Sequence, residues 1–125
     1  MSSPEPDADS APFWAALRER RIVLQCCREC GRHRFPPVPA CPYCGARPCT
    51  EVDVAGGGRV YSWIRVHRAL TPAMADEVPY TVAVIELVAG PRLLARLDGR
   101  PAVRIGDRVE PRFVDHGDWT ELRYA

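Results

Sequence analysis

Lysine is absent from this chain, and so is asparagine. All seventeen basic residues are arginines, and they alternate with sixteen acids for a formal net charge of +1. No block of one sign exists to track a phosphate backbone, which argues against a nucleic-acid groove. Long apolar runs are missing too; none approaches the roughly 20 residues that a membrane-spanning helix needs. Residues 1–10 carry neither a cationic start nor an apolar stretch, which excludes a secretory signal. Acidic and Pro-rich, they read as a disordered leader, and the protein is expected in the cytoplasm.

Catalytic side chains are scarce as well. Ser62 is the only serine beyond the leader and sits beside Trp63 in a predicted strand. His33, His67 and His116 are scattered, with no second histidine at ligand spacing. Cys49 and His67 could in principle form a nucleophilic pair, but the simpler reading of each is structural. Gly56-Gly57-Gly58 precedes a strand, so it lacks the helix N-terminus that phosphate loops exploit and reads as a turn or bulge. From these residues alone, catalysis is not expected.

What is present falls into two textures within 125 residues, enough for one domain or two small lobes sharing a core. Ala11 to Arg20 has helix-forming residues behind Ser10, a good N-cap, with Phe13, Trp14 and Leu17 on one side. Ile22–Gln25 is a short strand leading into a stretch, Cys26 to Cys49, so rich in Cys, Pro, Gly and Arg that it cannot fold on apolar burial. Beyond it lie strand patterns at Glu51–Val54, Arg59–His67, Tyr80–Val88, Arg92–Leu97, Arg108–Val114 and Trp119–Tyr124. Ala69–Pro79 reads as a long loop, and Pro111 belongs on an edge or at a bulge. Five or six strands in so short a span predict a small closed or partly open barrel.

The six cysteines carry the clearest chemistry. In a reducing compartment they point to metal rather than disulfides. Cys27-Arg-Glu-Cys30-Gly and Cys41-Pro-Tyr-Cys44-Gly are two CxxCG knuckles with ten residues between Cys30 and Cys41. Two intervening residues let both sulfurs of a knuckle converge, and the following glycine lets the chain turn its amides toward the thiolates. Two knuckles complete the tetrahedral four-sulfur shell that zinc prefers, at about 2.3 Å per bond. A closed shell leaves no position for substrate, so the ion is structural. Such binding contributes on the order of 10–16 kcal/mol in small zinc peptides, ample to order a coreless segment. Iron in the same shell would instead give a rubredoxin-type electron carrier. Cys26 adjoins a ligand and could replace Cys27; Cys49 reads as a free or buried thiol. With four thiolates and one dication, the formal charge changes from +1 to about −1.

The ordered set of motifs resembles a known family. It comprises a Phe-Trp helix, Leu24-Gln25-x-Cys27-x-x-Cys30-Gly31, Arg34-Phe35-Pro36-Pro37, Cys41-Pro42-x-Cys44-Gly45, Gly58-x-Val60-Tyr61-Ser62-Trp63 and Pro79-Tyr80. It is similar to the small bacterial and archaeal proteins that join a rubredoxin-like zinc ribbon to an acyl-CoA-associated OB-fold, long catalogued as a domain of unknown function. The resemblance implies a mainly β protein: leader 1–10, N-terminal helix 11–21, zinc ribbon 22–50 and a five- to six-stranded OB-fold barrel over 51–125. It further implies a non-catalytic accessory subunit of lipid metabolism. Such a subunit forms a hetero-oligomer with a thiolase-fold acyl-CoA enzyme (thiolase, aldolase or acyltransferase) and helps form its acyl-CoA site. The alternatives are a hot-dog-fold enoyl-CoA hydratase as partner, or single-stranded nucleic-acid binding by the OB-fold. By that analogy Tyr61, Trp63, Arg65, His67, Arg68 and Tyr80 are the candidate acyl-CoA contacts, and Cys27, Cys30, Cys41 and Cys44 the zinc ligands. Phe13 and Trp14 are expected to be covered either by the partner or by this chain's own barrel.

Overall fold

The computed structural model describes residues 3–125; Met1 and Ser2 of the expected leader lie outside them. Among the described residues one α-helix, α1 (Ala11–Arg18), leads into nine strands, β1 (Ile22–Cys27), β2 (His33–Arg34), β3 (Cys49–Val54), β4 (Gly58–Val66), β5 (Tyr80–Leu87), β6 (Arg92–Leu97), β7 (Arg108–Val109), β8 (Pro111–Asp115) and β9 (Thr120–Tyr124), with a 3-10 turn, Pro72–Met74, in the loop between β4 and β5.

The two ends of α1 show how local chemistry sets its bounds. Ser10 does not cap with its side chain. Instead Asp7 and Ser10 form a reciprocal box: the Ser10 amide donates to Asp7 Oδ1 (2.8 Å) and the Asp7 amide to Ser10 Oγ (3.0 Å). The cap therefore sits one turn earlier than expected, and Ser10 plays the third-residue role. At the other end the Arg20 amide donates to the Leu17 carbonyl and the Arg21 amide to the Ala16 carbonyl. Arg20, at φ 62°, takes the left-handed position that glycine usually fills in this stop. Its guanidinium binds both oxygens of Asp115, at 2.9 and 2.6 Å.

The ribbon is a three-stranded sheet in the order β2-β1-β3. The barrel is a six-stranded sheet in the order β7-β4-β5-β6-β9-β8. Its two outermost strands are consecutive in the chain, so the sheet curls back on itself. The single expected strand Arg108–Val114 is thus split: β7 pairs with β4, and β8 with β9. Between them Glu110 still exchanges backbone hydrogen bonds with Ala125, at 2.9 and 3.0 Å. Pro111 stands on the edge strand, where a missing donor costs nothing. β6 and β9 run parallel, with Leu97 opposite Tyr124. This is the nearly closed, OB-like barrel that the family resemblance implies.

Gly58 permits the closest approach in the sheet: a Cβ there would collide with the Glu86 carbonyl and the Ile85 side chain. Two residues on, the β4–β5 register slips between Val60 and Ser62. That bulge leaves Val60 in the core and Tyr61 exposed.

One core unites helix, ribbon and barrel. Phe13 and Leu17 of α1 and Ile22 and Leu24 of β1 pack with Val60, Ile85, Leu93 and Tyr124 of the barrel. Phe13 is only 7% exposed, and its ring lies 5.2 Å from that of Phe35. Trp14 is half-buried and meets Trp119 edge-on at 6.1 Å. Of the two covers expected for these aromatics, the one observed is this chain's own body. No helix among the described residues is long and apolar enough to cross a membrane.

Candidate metal centre and adjoining groove

Each knuckle is a tight turn that closes on itself. The Gly31 amide donates to the Cys27 carbonyl at 3.0 Å, and the Gly45 amide to the Cys41 carbonyl at 2.9 Å. Both glycines take positive φ, 75° and 79°. The turns bring the sulfurs of Cys27, Cys30, Cys41 and Cys44 within 4.8 Å of one another. Cys27 lies 3.6 Å from Cys44, and Cys30 3.6 Å from Cys41, sulfur to sulfur. A tetrahedron with bonds of about 2.3 Å has edges of about 3.8 Å, so the quartet fits a zinc ion.

The amides are arranged for thiolates. Those of Cys30 and Glu29 point at the Cys27 sulfur and lower its pKa. Burial alone would raise Cys41; the amides of Cys44 and Tyr43 outweigh it and bring that thiol down to about 6. Cys44 accepts from the Ala46 amide, which favours its thiolate, yet burial and the three neighbouring sulfurs push it up to about 11. Crowded sulfurs resist full ionisation without a cation, and a dication removes that obstacle.

Behind the knuckles sits a buried pair that the sequence did not advertise. Gln25 on β1 and Arg34 on β2 face each other in register and are 5% and 2% exposed. Arg34 Nε donates to Gln25 Oε1 at 2.8 Å, and the same oxygen accepts the Val38 amide at 3.0 Å. The guanidinium ends reach the carbonyls of Ala46 and Arg47, at 3.5 and 3.4 Å, just beyond the second knuckle. One arginine thereby ties both arms of the ribbon. Cys26 points its thiol to the Gly31 carbonyl at 3.5 Å and stands outside the quartet.

The six candidate acyl-CoA contacts do not share one face: Trp63 and Arg65 lie on the sheet face of Ala83 and Thr81, whereas Tyr80 lies on the other, with Val66. Tyr61, Trp63 and Arg65 lie on β4, with the Arg65 guanidinium 5.8 Å from the Trp63 ring centre. His67 and Arg68 follow on the exposed loop. Tyr80 opens β5 opposite Val66, under the Arg96 guanidinium at 4.4 Å. Arg92 covers Tyr61 at 3.6 Å, a neighbour the sequence reading did not single out.

Of the six, Tyr80 lines the main concavity, an apolar groove of about 540 Å³ between α1, β5, β6 and β9. Trp14, Val82, Leu94, Trp119 and Leu122 contribute to its walls, and Arg96 and Glu121 are its charged members. Glu121 is nearly buried and accepts from Arg123 (3.0 Å) and pairs with His116 Nε2 (2.8 Å). His116 also stacks on Trp119 at 4.5 Å, which accounts for one of the scattered histidines as a wall brace. No signal in the sequence points to this groove, because its walls come from four separate elements. Among the described residues no hydrogen bond joins Cys49 to His67.

Comparison with known proteins agrees with this geometry. A family model described as the ChsH2 rubredoxin-like zinc ribbon domain matches residues 14–48, and one described as the ChsH2 C-terminal OB-fold domain matches residues 51–114. A solved structure titled Ltp2-ChsH2(DUF35) aldolase superposes with a TM-score of 0.86 at 37% identity, covering 98% of this chain and 97% of that one. A DUF35 domain-containing scaffold protein of Methanocaldococcus jannaschii is 34% identical, covering 90% of this chain and 84% of its own length. A probable enoyl-CoA hydratase alpha subunit of Thermomonospora curvata is 43% identical over 94% of this chain. This chain spans only 35% and 38% of the two hydratase alpha subunits it matches.

Proposed function

From the premise that this chain belongs to the ChsH2 family of zinc-ribbon and OB-fold proteins, we propose that it is a non-catalytic subunit of a thiolase-fold acyl-CoA enzyme. The observation that carries the reading is its near end-to-end likeness to the chain of the Ltp2-ChsH2(DUF35) aldolase. We further propose that the division into leader 1–10, helix 11–21, ribbon 22–50 and barrel 51–125 describes its working parts.

The chemistry of the parts fits that role. A zinc ion held by Cys27, Cys30, Cys41 and Cys44 would supply only structure, since four sulfurs close its shell. The quartet stiffens the ribbon, and Arg34 and Gln25 carry that rigidity into the sheet shared with the core. On the barrel, Arg65 lies over Trp63, whereas Arg92 and Arg96, over Tyr61 and Tyr80, are already paired with Glu86 at 3.0 Å and Glu77 at 2.7 Å. Arg65 and the exposed Arg68 offer cations, and His67 a hydrogen-bonding ring, to the phosphates of an acyl-CoA. The groove beside Tyr80 is apolar enough for an acyl portion. Helping to form an acyl-CoA site would then require a second subunit to supply the reacting groups.

The names of the hydratase alpha subunits favour a second reading, in which the partner is an enoyl-CoA hydratase. One experiment separates them: purification of the tagged chain from its native cell, identification of the co-eluting subunit, and assay of the pair on acyl-CoA. A thiolase-fold subunit whose turnover drops on removal of this chain supports the proposal. A hydratase in its place supports the second reading, and a chain that elutes as a monomer with its own acyl-CoA turnover overturns both.

A further inference from the structure

We infer that Cys27 and Cys49 form an oxidation site, at which a peroxide links them as a cross-strand disulfide and thereby strips one ligand from the metal centre. The inference goes beyond the proposed assembly and rests only on the four-cysteine reading of the centre.

Cys27 on β1 and Cys49 on β3 are directly opposite each other in an unbroken antiparallel register running from Ile22↔Val54. Opposite residues of such a pair share one face of the sheet. The hydrogen-bond phase fixes which kind of pair this is. The Cys27 amide turns away toward β2, donating to the Arg32 carbonyl at 2.9 Å. Its neighbour Arg28 donates toward β3, to the Pro48 carbonyl at 3.0 Å. Cys27 and Cys49 are therefore a non-hydrogen-bonded pair, whose Cα atoms stand about 4.5 Å apart. Disulfides span Cα separations of roughly 4.4–6.8 Å, so this site can close by side-chain rotation with the backbone left in place.

The two thiols also differ in what holds them. Cys27 is 2% exposed and belongs to the quartet, whereas Cys49 is half-exposed and outside it. A closed tetrahedral shell has no use for a fifth sulfur. Cys26, the other spare thiol, pairs with Thr50 and faces the opposite side of the sheet. Cys49 is thus the one spare thiol that shares a sheet face with a ligand.

The chemistry balances with peroxide as the two-electron oxidant. The Cys49 sulfur attacks one peroxide oxygen; the O–O bond breaks, a sulfenic acid forms, and the thiol proton leaves with the departing hydroxide as water. The Cys27 thiolate then attacks the Cys49 sulfur. The S–S bond forms, the S–O bond breaks, and hydroxide departs. Each sulfur loses one electron, peroxide gains two, and the metal is left with three protein sulfurs.

The test starts from the reduced, full-length chain, loaded with one zinc per chain as fixed by elemental analysis. Hydrogen peroxide is added, released zinc is followed with a chromogenic chelator, and disulfides are mapped by tandem mass spectrometry. A Cys26→Ser background removes the ambiguity of adjacent cysteines. The expected result is a Cys27–Cys49 bridge that accumulates in step with zinc release, and release at least about tenfold slower in Cys49→Ser. Zinc release by Cys49→Ser at the unmodified rate overturns the inference. So do bridges confined to Cys27, Cys30, Cys41 and Cys44.

Discussion

Replacing Gln25 by leucine tests whether the ribbon is braced from behind as well as by its metal. The side-chain oxygen it removes serves two donors, Arg34 Nε at 2.8 Å and the Val38 amide at 3.0 Å. Arg34 would be left buried and the Val38 amide half-buried without that acceptor, and Arg34 would keep only the two long contacts to the Ala46 and Arg47 carbonyls. An orphaned buried amide costs about 1–3 kcal/mol, and a buried charge stripped of its partner about 3–5 kcal/mol. Allowing for the contacts that remain, the expected loss is about 3–5 kcal/mol, equivalent to a fall in Tm on the order of 10 °C or more for a chain this size. Urea unfolding followed by tryptophan fluorescence, with zinc buffered and reductant present, reads it directly. Adding Arg34→Met to Gln25→Leu removes the stranded charge, so the double variant should lose less than the two single losses combined. A Gln25→Leu loss under about 1 kcal/mol would refute the brace, since it would mean that the guanidinium reaches water.

Other expectations follow from the same packing. Phe13→Ala vacates a core position 7% exposed and should cost about 3–5 kcal/mol in urea unfolding. Gly58→Ala drives a Cβ into the Glu86 carbonyl, so β4 and β5 must separate locally; hydrogen exchange of the Val60 and Ile85 amides should accelerate. Burial holds the Tyr124 hydroxyl well above its ordinary pKa, and that hydroxyl donates to the Gly56 carbonyl. A raised folded pKa gives stability that is complete below the unfolded value of about 10 and lost as pH climbs past it. Tyr124→Phe should cost about 1 kcal/mol at neutral pH and flatten the alkaline decline, as read from urea midpoints across that range. For Cys41, lowered to about 6 from an ordinary value of 9.0, the sign reverses: thiolate stabilisation of the metal-free chain is complete above the ordinary value and lost as pH falls through the folded one. Protons compete with zinc for the same thiolates, so zinc should be released on acidification, which a chelator titration measures.

How much of this was legible in the residues varies with how local each feature is. The two CxxCG knuckles are short-range patterns whose geometry depends on their own turns, and the quartet converges as their spacing requires. β5 and β6 are equally local, a strongly apolar run and its partner across Gly90-Pro91, with Ile85 opposite Leu93. The long strand Arg108–Val114 was not legible as two pieces, because its break at Glu110 arises only when the barrel closes on itself. Arg34 and Gln25 stood in the sequence only as members of family motifs; the burial of Arg34 depends on Gln25 arriving from another strand. The cap moved from Ser10 to Asp7 because Asp7 and Ser10 satisfy each other's amides, a reciprocity visible only three residues apart. Phe13 and Trp14 carried the right signal, a large apolar face in need of cover, but nothing along the chain said that Phe35 and Trp119 would provide it.

Metal content bears most directly on the scaffold at the centre of this structure. Elemental analysis of the freshly purified, reduced chain should find one zinc per polypeptide, with Cys27, Cys30, Cys41 and Cys44 shielded from alkylation until a chelator is added. A chain that carries no metal yet keeps a folded ribbon, or one whose four thiols alkylate as readily as Cys26, would contradict it.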